Sequence, residues 1–299
     1  MKPPQTGSAS APRNEPLPAL ENLRGLALSP AADHSTLAAL LLGTAVLALF
    51  AQVLFSGTRL VSTPEGDLAN QFLGWRAFGF SELKKGHLAL WNPYIFCGAP
   101  YFSGFQSALL YPPNAAFLFL PLIFALNFSF ALHVFLAGFF TYLWLASHRL
   151  AFLSALFGAF VFMFGGSFFA HVYPGHLPNL CAMAWIPLVF LIVEKLIASP
   201  GFKNLLLGAG VLSLQLLAGH PQYFLYTLLF ACLYGFFLLL KDPTRWTAKV
   251  LWGLGTGLAA AGLTAVQWLP GLEAAREFGR ALPSDLETLD FYSLHFPSL

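Results

Sequence analysis

Asp67 and three histidines, His171, His176 and His220, are the reactive side chains of a sequence otherwise made mostly of aliphatic and aromatic residues. A carboxylate can orient or deprotonate a hydroxyl, and a histidine can hold an anion or move a proton near neutral pH. Near Asp67 stand Gln71, Trp75 and Arg76, followed by His87, Trp91, Asn92, Tyr94, Gln106, Tyr111 and Asn114. Indole and phenol faces stack on the C–H faces of sugar rings while Asn and Gln bond the hydroxyls, so this run suits a sugar-bearing substrate. Trp and Tyr also collect at membrane interfaces without any ligand. Trp91-Asn92-Pro93, however, sits in a loop of roughly 50 residues, and loops of that length are uncommon unless functional. Gln222 follows His220, and Gln267, Glu273 and Arg276 close the polar set. The histidines come from separate segments with no HxxH or HExxH spacing, so no metal site and no required cofactor are expected.

The elements that carry these residues follow from composition. Hydrophobic residues make up 57% of the chain and charged residues only 9%, against about 25% charged in a soluble domain. That is too little charge to cover a water-facing surface, so lipid must cover it. A net charge of +2 without a basic patch excludes a nucleic-acid partner. Cys97, Cys181 and Cys232 form no CxxC pair and read as small apolar residues.

Spans of about 20 apolar residues are expected at 36–55, 127–146, 150–168, 179–198, 203–219, 221–240 and 248–269. The fold class is therefore all-α and polytopic, with about seven transmembrane helices. Residues 1–35, polar and Pro-rich, read as a disordered cytoplasmic tail, and 36–299 as the transmembrane domain. Its first extracytoplasmic loop is expected at 61–112, with a short helix at 113–126. Lys and Arg in short connections set orientation. An N-terminus inside puts Arg149, Lys195, Lys203, Lys241, Arg245 and Lys249 on the cytoplasmic side. Glu194 is expected to pair there with Lys195 or Lys203. The chemistry-bearing residues then share the opposite face.

Within the loop, Thr63-Pro64-Glu65-Gly66-Asp67 starts like a helix, with an N-cap, an early Pro and acids near the positive end of the dipole. Lys84-Lys85-Gly86 ends like one. Asp67, Gln71 and Trp75 fall at i, i+4 and i+8 and would share one face of an interfacial helix.

The order Asp67…Gln71…Trp75…Gly86-His87-Leu88…Leu90-Trp91-Asn92-Pro93…Gln106-Ser107…Tyr111-Pro112-Pro113-Asn114 resembles the first extracytoplasmic loop of the YfhO-like bacterial membrane proteins, grouped with the GT-C polytopic glycosyltransferases. Gly165-Gly166…His171…His176…Asn179, Ala218-Gly219-His220-Pro221-Gln222 and Gln267…Leu269-Pro270…Glu273 agree in order. Members of that family are usually longer, so the chain resembles their N-terminal portion. The resemblance implies a GT-C-like fold in the bacterial inner membrane. It implies inverting transfer of a sugar from a polyprenyl-phosphate donor to an envelope glycan, lipid or protein on the outer face. Asp67 is then the base or orienting group. Gln71, Trp75, His87, Trp91, Asn92, Tyr94, Gln106, Tyr111, Asn114, His171, His176, His220 and Gln222 would line the substrate. His171, His176, His220, Arg76 and Arg276 would contact the phosphate. Some enzymes of this superfamily use a divalent metal ion and others none. Alternative readings are a lipid-linked sugar transporter or flippase, or a non-catalytic membrane assembly subunit. The expected spans carry no Asp, Glu, Lys or Arg near their centres, which argues against an ion-coupled transporter.

Overall fold

Where no water reaches the backbone, a helix satisfies its own N–H and C=O groups, so an apolar chain of this composition should be helical throughout. A computed structural model describes residues 29–277. Residues 1–28 of the expected tail and 278–299 lie outside the described residues.

A 3-10 turn, Ala31–His34, leads into α1, Ser35–Leu54. A loop then carries a π-helical turn, Leu68–Phe72, continuous with α2, Leu73–Lys84. Two short antiparallel strands come next, β1 (Trp91–Asn92) and β2 (Ala99–Pro100). A 3-10 turn at Pro112–Ala115 precedes α3, Ala116–Phe119, and α4, Leu122–Ser147. The chain continues through α5 (Phe152–Phe164), α6 (Gly166–Phe169), a 3-10 turn (Ala170–Val172), α7 (Leu177–Met183) and α8 (Ile186–Ala198). The remaining helices are α9 (Phe202–Leu217), α10 (Pro221–Lys241) and α11 (Trp246–Glu277).

Among the described residues, six helical stretches are long and apolar enough to cross a membrane: Ala31–Leu54, Leu122–Ser147, Phe152–Val172, Leu177–Ala198, Pro221–Lys241 and Trp246–Glu277. The architecture is that of an all-α polytopic membrane protein. The remaining expected span, 203–219, corresponds to α9, whose 16 residues reach only about 24 Å at 1.5 Å per residue, short of a bilayer core of about 30 Å. Helix α4 is the hub. It packs against α1, α5, α7 and α8, while α8 in turn receives α9 and α10, and α11 leans chiefly on α9.

Several boundaries move for tertiary reasons. Residues 29–34, expected in the tail, are docked: Ala31 N–H donates to Leu150 O (3.1 Å), Phe152 N–H to Ser29 O (2.8 Å), and Ala31 is fully buried. The 113–126 helix is replaced by a 3-10 turn and α3, and the span after it begins at Leu122 rather than 127. Asn127, the expected first residue of that span, is buried within α4. Its amide donates to Val53 O and Arg59 O and accepts from Val61 N–H, so the polar side chain ties α4 to the exit of α1. The helix expected from Thr63 starts later because Thr63 N–H bonds Tyr173 O (3.0 Å) and its carbonyl closes a turn on Gly66. Glu194 is held by Trp144 Nε1 (2.8 Å), Tyr234 Oη (2.7 Å) and His148 Nε2 (3.1 Å) instead of by the neighbouring lysines. Helix α11 runs on through Pro270.

Consecutive crossings alternate in direction, so the 55–121 loop, the 173–176 connection and the 218–220 turn meet at one end of the bundle. Lys195, Lys203, Lys241, Arg245 and Lys249 lie at the other.

Candidate functional site

Two glycines seat Asp67. A Cβ on Gly66 would lie 2.5 Å from Pro174 O, and one on Gly175, whose φ is +80°, would lie 2.5 Å from Leu68 Cβ. Only bare backbone allows this approach, and in the left-handed region glycine bears no steric cost. The fit lets Asp67 N–H donate to Pro174 O at 2.7 Å. The carboxylate thereby comes to the 171–176 segment from more than a hundred residues away.

The π turn redirects the residues beyond Asp67. Its i→i+5 bond, Leu73 N–H to Leu68 O, turns the chain less per residue than an α-helix does. Asp67, Gln71 and Trp75 each meet a different partner. Asp67 meets His176, Gln71 Nε2 donates to Gln106 Oε1 (2.8 Å), and Trp75 packs edge-on against Phe72 and Tyr101.

Asp67 begins a chain of polar contacts. Its Oδ2 lies 3.4 Å from His176 Nε2, His176 Nδ1 lies 3.0 Å from His171 Nδ1, and His171 Nε2 lies 3.1 Å from Tyr223 Oη. A carboxylate only accepts, so one assignment of hydrogens fits the neutral imidazoles. His176 Nε2–H donates to Asp67, His171 Nδ1–H to His176, and Tyr223 O–H to His171. All hydrogens point toward Asp67, and one shift along the chain reverses them. His220 closes the group: its Nδ1 accepts from Tyr223 N–H (3.3 Å), capping the start of α10, and its ring lies 4.8 Å from that of Tyr223. Burial, reinforced by His171 and His176, pushes the His220 imidazolium pKa below its ordinary 6.5. Asp67 is half exposed and His176 partly so, at 54% and 35%, which leaves the acidic end of the chain open to a substrate.

The Gln71–Gln106 pair lies beside this group. Gly219, at φ +100°, backs onto Phe105 O and the Gln106 Cα, so the 105–108 turn abuts the residue preceding His220. Gln267 Nε2 donates to Phe102 O (2.8 Å), pinning the same loop to α11.

Other expected site residues are placed elsewhere. Tyr94 packs on Phe78, midway along α2, at 5.7 Å. Eleven residues separate Phe78 from Asp67, about 16 Å at helical rise. Trp91 is exposed and lies over Gly98; Asn92 is buried, its side chain accepting from Tyr94 N–H. His87 is exposed beside Glu82 (3.4 Å), Gln222 bonds Tyr226 (2.7 Å), and Arg276 is exposed at the end of α11.

Arg76, expected to contact a phosphate, faces inward. It is 1% exposed, lies between the Phe72 and Phe117 rings, and donates through Nη1 to Gln106 O (2.9 Å) and Ser107 O (2.6 Å). Its role in this position is to hold the 105–108 turn. Burial lowers its pKa below the ordinary guanidinium value and raises that of neighbouring Tyr101 to about 12. Asn114 is likewise buried, on Ala108 O.

Tyr111 is buried in a network that the spacing of residues does not reveal. His133 Nδ1 faces Ser129 O (2.6 Å), so it carries the hydrogen. His133 Nε2 then accepts from Tyr111 O–H (2.6 Å), and Trp185 Nε1–H donates to Tyr111 Oη (2.8 Å). Tyr223 is the functional residue that the substrate set omits; its position three residues after His220, in the first turn of a helix, is the signal for it. Among the described residues, no group of three or more His, Cys, Asp and Glu side chains is arranged to hold a metal ion. Compared with known proteins, the chain matches no protein-family model, no curated protein and no solved structure.

Proposed function

We propose that the chain is a membrane glycosyltransferase that moves a sugar from a polyprenyl-phosphate donor to an acceptor hydroxyl at the extracytoplasmic end of the bundle. The observation that carries this reading is the contact chain Asp67–His176–His171–Tyr223, assembled from three separate connections and open at its carboxylate. The resemblance to GT-C enzymes supplies the reaction class, and the aromatic and amide residues of the first loop suit a sugar.

In the reaction, the acceptor oxygen attacks the anomeric carbon while the bond from that carbon to the phosphate oxygen breaks, inverting the centre. The electron pair leaves with the phosphate. Asp67 accepts a hydrogen bond from the attacking hydroxyl and takes its proton as the new bond forms. His176 Nε2–H, donating to the same carboxylate, holds Asp67 in place for that step. His220, whose Nδ1 accepts from Tyr223 N–H, keeps its Nε2–H as a donor for the departing phosphate, whose growing charge it stabilises. A divalent metal is not required for these steps.

The test uses membranes containing the chain and a labelled polyprenyl-phosphate sugar. Asp67→Asn keeps the shape but removes the proton acceptor, and transfer is expected to fall by about 100-fold or more, the size typical of losing a positioned acid–base group. Undiminished transfer at equal expression would remove Asp67 from this role. Absence of transfer by the wild type with any polyprenyl-phosphate sugar counts against the enzyme reading as a whole.

A further inference from the structure

The connection that seats Asp67 holds two imidazoles joined nitrogen to nitrogen. His171 lies in the 3-10 turn Ala170–Val172, and His176 immediately before α7. His176 N–H donates to His171 O (3.0 Å), closing the backbone between them, and the two Nδ1 atoms face each other at 3.0 Å. At that distance a hydrogen bond needs one hydrogen between the rings and has no place for two.

The outer nitrogens have partners of different kinds. His176 Nε2 faces the Asp67 carboxylate, which only accepts, and His171 Nε2 faces the Tyr223 hydroxyl, which donates or accepts. With both rings neutral, Tyr223 donates to His171. A first added proton settles on His171 Nε2, Tyr223 Oη turns from donor to acceptor, and every contact survives. A second has only the remaining Nδ1 to occupy. Two N–H groups then point at each other, each on a cation. The other titratable groups around the pair do not relieve this. Asp67 is engaged on the far side of His176, and Glu65 and Tyr173 are exposed. On α10, Tyr223 and Tyr226 behind it are neutral, and His220 at its start adds positive charge when protonated.

Nor can the turn widen in place. A Cβ on Gly66 would lie 2.5 Å from Pro174 O, and one on Gly175 would lie 2.5 Å from Leu68 Cβ, so the connection is pressed onto the residues flanking Asp67. We infer that His171 and His176 form an acid-sensitive latch: the 171–176 connection takes up one proton closed, opens on the second, and then releases the Asp67 seat. The open form holds one more proton than the closed form, so opening rises as pH falls, by up to about tenfold per pH unit. The latch rests on hydrogen positions and holds whether or not the chain transfers sugar.

Hydrogen exchange of the full chain in phosphatidylcholine nanodiscs, read by mass spectrometry from pH 7.5 to 4.5, tests this. Each rate is divided by that of an unstructured peptide of the same sequence. In the wild type, protection of peptides covering 63–70 and 171–177 should fall about tenfold or more by pH 4.5, while peptides within α4 keep theirs. His176→Gln and His171→Gln each leave one titrating ring in the pair, and a glutamine carbonyl can accept the N–H that Nδ1 accepted. Both variants should hold their protection across the range, and if one fails to fold at pH 7.5 the other carries the comparison. Unchanged protection in the wild type overturns the inference. Equal loss in the variants does so too, because Asp67 and His220 titrate in them as well. A parallel loss within α4 also overturns it, since acid would then be unfolding the whole bundle.

Discussion

The two sides of the bundle treat their polar side chains differently. In the most apolar window of the Leu177–Ala198 span, 61% of residues are buried, and in that of Leu122–Ser147, 56%; for Pro221–Lys241 the share is 11%. On the buried side, polar groups reach across elements: Asn127 to α1, Tyr111 to His133 and Trp185, Arg76 to the 105–108 turn. On the open side the buried hydroxyls of Thr256 and Thr264 and the indole of Trp268 bond carbonyls of their own helix, Trp252 O, Ala260 O and Ala261 O, while Gln267 alone of these reaches across, to Phe102 O. A polar side chain surrounded by protein becomes a tie between elements. The ties of Asn127, Tyr111 and Arg76 thus join the helices and loop around α4, and the candidate site draws on both sides.

This contrast can be broken most severely at Arg76. Arg76→Ala removes the donors to Gln106 O and Ser107 O and leaves a void between Phe72 and Phe117. A loss of about 3 kcal/mol is expected from orphaned carbonyls plus cavity, read as a lowered thermal midpoint in detergent. Tyr111→Phe keeps the ring but strips the hydroxyl from between His133 and Trp185. It should cost about 1–3 kcal/mol, and an unchanged midpoint would mean that this network adds nothing. A milder perturbation is acid. The His220 pKa in the folded state lies below the ordinary 6.5, so between those two values the unfolded chain binds more protons. Stability from this group is complete above about pH 6.5 and falls as the pH drops from there. His220→Gln should flatten that dependence in melts at pH 7.5 and 5.5. On the open side, Leu258→Ala on α11, where the side chain is 74% exposed, should change the midpoint by no more than about 0.5 kcal/mol allows. A larger drop would show that α11 is packed against something other than lipid.

The spans are legible in the sequence because hydrocarbon imposes length and apolarity on every crossing. The choice of Asp67, His171, His176 and His220 as neighbours at one end rests on the alternation of the crossings. Features that depend on partners distant in sequence are hidden. Asn127 marks the expected start of a span because amides are rare within one, yet it is buried inside α4 and bonded to Val53, Arg59 and Val61. Arg76 reads as a surface cation because arginine seldom lies inside without a carboxylate. A common face for Asp67, Gln71 and Trp75 presumes α geometry, and nothing local in Leu68–Phe72 announces a π turn. The 113–126 stretch reads as one helix because the break at Pro121, which starts α4, has apolar residues on both sides.

The long reach of the ties around Asp67 has a consequence for biosynthesis. Thr63 and Asp67 are bonded to Tyr173 and Pro174, and Gln267 closes on Phe102 across 165 residues. At about 5–20 residues per second of synthesis, the last of these partners emerges some 8–30 s after the loop it holds. Through that interval the first loop is outside the ribosome with its closing contacts unmade and the Gly219 seat for its 105–108 turn still to be translated. The carboxylate is among the earlier residues to reach the membrane, and the pocket around it is among the last parts of the molecule to be finished.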